Sequence, residues 1–131
     1  MNDVGMRVHV AGSVDEAEQA VTEALQQVGF GVLTRIDVAE TLKKKIGVDH
    51  PPYRILGACN PRLAHRAISL APEVGLLLPC NVLIRTDEEG RTEVSIIDPD
   101  AMLGVVRHPG LNELAAEARQ LFEQVLQTIA G

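Results

Sequence analysis

The sequence predicts an α+β fold of two layers: a mixed β-sheet of about five strands with helices mainly on one face. Three observations carry that expectation. Segments of strand-like alternation are separated by segments whose apolar residues recur every three or four positions. Capping residues and glycine stops stand at the joints between them. Two strand segments also follow one another directly across an Asp-Glu-Glu-Gly turn, which puts an antiparallel hairpin into an otherwise alternating order. The order reads β-α-β-α-β-α-β-β-α over residues 1–131, taken as a single domain, a length that can bury one core without staples.

Arg7 to Val10 opens as a strand with Val8 and Val10 on one face. Ser13 then starts a helix with a capping box, its hydroxyl accepting from the third helical amide while Glu16 reaches back. Val14, Ala17, Val21, Ala24, Leu25 and Val28 form the helix's apolar stripe, and Gly29 stops it. From Phe30 to Asp37 the chain alternates, with Phe30, Val32, Thr34 and Ile36 on one face. A strand–helix–strand unit of this kind usually joins parallel strands. Asp37 caps a shorter helix with Leu42 and Ile46 inward, Gly47 ends it, and Pro51-Pro52 stiffen the loop that follows. Tyr53 to Cys59 is the third strand. Asn60-Pro61 then opens a helix in the preferred arrangement, a capping side chain before a proline at the first helical position. Leu63, Ala64, Ala67 and Ile68 are its expected buried face, and Pro72 bars its continuation. Cys80 to Thr86 and Arg91 to Ile97 are the hairpin arms around Asp87-Glu88-Glu89-Gly90. Asp98-Pro99 ends the second arm and starts a short helical turn through Met102. The last helix, Leu111 to Ile129, carries one long apolar stripe and spans ~30 Å, enough to cross the sheet.

Composition removes several functions. The net charge is −6 and the only aromatic residues are Phe30, Tyr53 and Phe122, so the chain lacks both the basic field and the stacking platforms that nucleic-acid readers use. Its one basic cluster, Lys43-Lys44-Lys45, closes a helix, where cations complement the helix dipole. No stretch approaches a membrane span of ~20 apolar residues, and the first residues do not form a secretory leader pattern. With two cysteines read as reduced thiols, the expected location is the cytoplasm. Gly-x-Gly-x-x-Gly, Gly-Lys-Ser/Thr and Gly-x-Ser-x-Gly loops are all absent.

Candidate chemistry gathers in two segments, Gly57-Ala58-Cys59-Asn60-Pro61 and Leu78-Pro79-Cys80-Asn81-Val82. Each holds a Cys-Asn pair beside a proline at a strand end. Together with Tyr53-Arg54-Ile55-Leu56, Leu63-Ala64, Gly75-Leu76-Leu77, the Asp98-Pro99 strand end and the apolar C-terminal helix, they resemble the bacterial and archaeal family catalogued as domain of unknown function 302. The resemblance implies a small α+β fold and a dimer. It brings no established activity, so it marks a place rather than a reaction.

Two readings of that place stay open. In one, the protein is a non-catalytic, homodimeric binding module that holds a small ligand or a metal ion at Cys59, Asn60, Pro61, Cys80 and Asn81, with Cys59 and Cys80 as the metal ligands. In the other, it is a thiol-dependent enzyme using Cys59 or Cys80 as nucleophile or redox centre. Cys59 precedes a helix start, a position whose free amides favour a thiolate, and asparagine adds donors and an acceptor. Against both stands the structural explanation: free cysteine is a common core residue, Asn60 is a cap, and Pro79 is a strand boundary. The first reading is preferred because no general base lies beside either cysteine. The cofactor, if any, is not identified by the sequence. The four histidines form no His-x-x-x-His pair and read as solvent-exposed, and Asp87-Glu88-Glu89 reads as a solvated turn. A zinc site would need ligands brought together by the fold.

Overall fold

The structure is a computed structural model, and it describes residues 4–130. Five strands, β1 (Gly5–Val10), β2 (Gly31–Asp37), β3 (Tyr53–Cys59), β4 (Cys80–Thr86) and β5 (Thr92–Ile97), form one open sheet in the order β1-β5-β4-β3-β2. The helices are α1 (Val14–Gln27), α2 (Val38–Ile46), α3 (Pro61–Leu70), a five-residue α4 (Pro99–Leu103) and α5 (Gly110–Ile129). Class, strand number and element order agree with the sequence reading. The sheet's sense is more uniform than the expected mixed sheet, because all four ladders are antiparallel. The strands joined by α1 do run parallel, but β1 and β2 lie on opposite edges with three strands between them. The crossover rule therefore holds for direction and fails for adjacency.

The caps behave as their residues dictate. Ser13 and Glu16 close the capping box of α1. Asp37 caps α2 by accepting from the Glu40 amide at 2.9 Å, and Asp98 caps α4 through the Asp100 amide. Pleating puts alternate residues of each strand on one face. Val8 on β1, Val94 and Ile96 on β5, Val82 and Ile84 on β4, and Leu56 and Ala58 on β3 all point into one core against α1 and α5. Phe30 and Phe122 meet in that core with ring centroids 4.6 Å apart. A second apolar cluster joins α3, the 3-10 turn Pro72–Leu76, α4 and the start of α5, through Ala67, Val74, Leu103 and Leu111.

Three expectations change in detail. Between Val32 and Thr34 the register of β2 against β3 shifts by one residue. A bulge of this kind reverses the alternation beyond it, so Val32 packs inward while Thr34 and Ile36 face outward, and Ile36 is 50% exposed. α2 buries no residue, and Ile46 lies open to solvent. On α3 only Ala67 is buried, and Ile68 is exposed. Among the described residues, no helix is long and apolar enough to cross a membrane.

Candidate functional site

The register of β3 against β4 sets Ala58 opposite Cys80 and Gly57 opposite Asn81. The two Cys-Asn segments therefore meet at one end of the sheet. Ala58 and Cys80 turn toward the helices and are buried. Asn81, one residue on, falls on the other face and is exposed. Cys59, Asn60, Pro79 and Cys80 line one recess, closed from behind by Phe30 and Leu114. Pro61 and Asn81 are outside its lining. Of the five residues picked from sequence, three thus share one space. The space is small, about 40 Å³. It admits an ion or a few atoms, whereas an organic ligand of drug size occupies some hundreds of Å³.

Both cysteines are free thiols. Burial, with a smaller contribution from the neighbouring Cys59, pushes the Cys80 thiol up to about 11, so at neutral pH it is protonated. Asn60 is committed to the start of α3: its Oδ1 accepts from the amides of Arg62 at 3.1 Å and Leu63 at 3.3 Å. The Asn60 side-chain nitrogen lies against the turn at Gly29, whose φ is +88° and where a Cβ would come within 3.2 Å of it. Gly57 and Pro79 explain one another. A Cβ on Gly57 would run into the Thr34 hydroxyl and come 2.6 Å from Cγ of Pro79, so glycine is what lets the Pro79 ring close over the sheet at the Leu78–Pro79 cis peptide.

A second cluster lies at the hairpin end of the opposite sheet face, where no candidate residue was expected. His9 and Glu93 are register partners on β1 and β5. The His9 Nε2 is 2.9 Å from Oδ2 of Asp87 and 3.8 Å from Oε2 of Glu93. Asp87 and Glu93 are only 7% and 8% exposed, so the expected solvated turn is in fact anchored by a buried carboxylate. Asp87 Oδ1 accepts from the amides of Glu89 at 3.0 Å and Arg91 at 2.8 Å. Burial alone would raise the Asp87 carboxyl. The Arg91 amide, His9, the Glu89 amide and the Arg91 charge outweigh it and hold the group below its ordinary value. Spacing along the chain carried no sign of this cluster, because His9 and Asp87 are 78 residues apart. The missing fact was that β1 pairs with β5.

Comparison with known proteins agrees with the motifs. No curated protein sequence matches the chain. A solved structure described as an uncharacterized conserved DUF302 protein from Bacillus stearothermophilus is similar, with 30% identity, a TM-score of 0.91, and coverage of 98% of this chain and 99% of that one. The family model for the domain of unknown function DUF302 matches residues 6–129. With nearly its whole length matched and both motif segments packed against each other, the chain belongs to the DUF302 family.

Proposed function

We propose that the protein is a non-catalytic binding module, working as a cytoplasmic homodimer, that holds a thiophilic metal ion or a ligand of a few atoms at Cys59, Asn60 and Cys80. The observation that carries this reading is the shared recess: two segments 21 residues apart in the chain bring two free thiols to one apolar space of ion size. Soft metals such as Cu(I) select thiolates, and binding would displace the Cys80 proton that burial now retains. Free thiols in both cysteines suit a reducing compartment. A thiol-dependent enzyme is less well supported. Among the described residues, no imidazole, carboxylate or amine lines the recess, and lifting Cys80 from 9.0 to about 11 leaves about 100-fold less thiolate at neutral pH.

Competition of the purified protein with a Cu(I)-selective chromophore tests the reading. The wild type should withdraw about one equivalent of Cu(I), and Cys59→Ala should lose that uptake with its melting temperature nearly unchanged. Wild-type protein that takes up no Cu(I), together with rapid alkylation of Cys80 at neutral pH, would overturn the proposal in favour of the enzyme.

A further inference from the structure

We infer that His9, Asp87 and Glu93 form a binding site for a divalent first-row metal ion, separate from the cysteine recess. One ligand atom from each, drawn from β1, the hairpin turn and β5, lies within 4.8 Å of the other two. A zinc ion with bonds of about 2.0–2.1 Å in tetrahedral geometry sets neighbouring ligand atoms about 3.3 Å apart. The 2.9 Å and 3.8 Å separations from His9 Nε2 bracket that value. The two carboxylate oxygens lie within 4.8 Å of each other, so the side chains need close by no more than about 1.5 Å to reach the tetrahedral spacing.

Each carboxylate is already oriented as a metal ligand requires. Asp87 holds the two turn amides with Oδ1 and presents Oδ2 to His9. Glu93 engages Arg85 Nε and the Ser95 hydroxyl with Oε1 and presents Oε2 to His9, with Arg85 also touching that oxygen at 3.4 Å. Donors on the far oxygen that fix the near one are the usual outer shell of a metal site. An imidazole nitrogen with two carboxylate oxygens suits zinc, iron(II), nickel or manganese more than a soft ion, which sets this site apart from the two thiols in chemistry as well as place.

The positive groups nearby do not close it. Arg91 approaches Asp87 Oδ2 at 3.3 Å, but it is more than half exposed and also pairs with Glu89. Arg85 is shared between Glu88 and Glu93. Among the described pairs, Arg91 and Arg85 are each divided between two of the carboxylates Asp87, Glu88, Glu89 and Glu93, so neither guanidinium is committed to a single ligand oxygen. Coordination through Nε2 requires the tautomer that carries the ring proton on Nδ1, and any proton on Nε2 is released to solvent as the ion binds. Three protein ligands leave one or more positions to water.

Equilibrium dialysis against Zn²⁺ at neutral pH, with metal content measured per chain, is the direct test, and Cys59→Ala protein serves as the control for thiol binding. One zinc per chain should be retained by that control. His9→Ala in the same background should weaken binding at least tenfold, with Glu93→Gln doing the same, while circular dichroism and the thermal midpoint stay close to the parent's. The four histidines also give a site-resolved readout in ¹⁵N NMR: on zinc addition the His9 ring nitrogens should shift, and those of His50, His65 and His108 should not. Zinc retention unaffected by His9→Ala, or no retention at zinc concentrations on the order of ten micromolar, the weak end of metal-sensor affinities, would overturn the inference. Neither result bears on Cu(I) uptake at Cys59.

Discussion

At the scale of single residues, the most tightly enclosed of the described glycines is Gly57, where β3 passes beneath the Pro79 ring and beside the Thr34 hydroxyl. The opposing side-chain atoms belong to Thr34 on β2 and Pro79 at the entry to β4; the Thr34 hydroxyl can turn about its Cα–Cβ bond, but the Pro79 ring is closed onto the backbone and gives way only if the start of β4 shifts. Gly57→Ala should therefore lose ~1–3 kcal/mol through overpacking, measured by urea unfolding, even though alanine fits a strand better than glycine. A neutral or stabilising result would mean that Pro79 moves freely, and with it one wall of the cysteine recess. Asn60 marks the opposite case. Its role as a cap was legible from Asn60-Pro61 alone, and the bonds to Arg62 and Leu63 account for its Oδ1 fully. Cys59 and Cys80 were legible as neighbours only on the assumption that β3 pairs with β4. Asn81 was misplaced because membership of a motif says nothing about the face of the sheet, which alternates at every residue.

Between elements, α1 is tied to the sheet by charge as well as by its apolar stripe. Glu18 accepts from Arg35 at 2.7 Å and Arg54 at 3.0 Å, and Arg54 also reaches Asp15 at 2.6 Å. Burial alone would raise the Glu18 carboxyl. The hydrogen bonds from Arg35 and Arg54, with their charges, outweigh it and bring the group below the ordinary 4.5. A carboxyl depressed in the folded state contributes stability that is fully present above its unfolded value and is lost as pH falls through the folded one. Urea unfolding between pH 3 and 7 should show wild-type stability declining below about pH 4.5, with a shallower decline in Glu18→Gln. An unchanged acid limb in the variant would remove Glu18 from the account. The elements themselves were read well from the chain. α1 and α5 declare themselves through long stripes at helical spacing, all of which the core absorbs. α2 was overread: it touches the sheet at β3, but Leu42 is only partly covered there and Ile46 lies open. The bulge at Val32–Thr34 was not read from the chain, although the apolar Leu33 interrupts the alternation there, and it turned Ile36 from an expected core residue into an exposed one. Antiparallel order throughout was also hidden, because periodicity reports a strand's faces and not its neighbours.

Over the whole molecule the sheet is packed unequally. One face carries α1 and α5 and the principal core. The other presents a central row running Arg7, Ser95, Leu83, Ile55 and Ile36 across the five strands. An antiparallel sheet tolerates water on one face when that face is polar, but here three adjacent strands contribute Leu83, Ile55 and Ile36 in succession. Leu33 on the bulged edge adds an apolar side chain that is 68% exposed. Apolar surface gathered in this way commonly marks an interface, and a two-fold partner meeting the same patch is the commonest way to cover it. The homodimer proposed above is therefore assigned to this face, rather than to the 3-10 turn, where Leu76 is exposed but Leu77 and Leu78 are partly withdrawn into the protein. Ile36→Lys tests the assignment cleanly: the site is half exposed on an edge strand, so the change should alter folding stability by no more than ~0.5 kcal/mol. Light scattering at micromolar concentration should give the wild type twice the 14.1 kDa of one chain and the variant a single chain's mass. A monomeric wild type would reject the dimer, and a variant that remains dimeric would reject this face as its interface. The charge at position 36 separates the two outcomes because burying an unpaired ammonium in a contact between copies is costly, while the helical side of the sheet, and the cysteine recess within it, is left untouched.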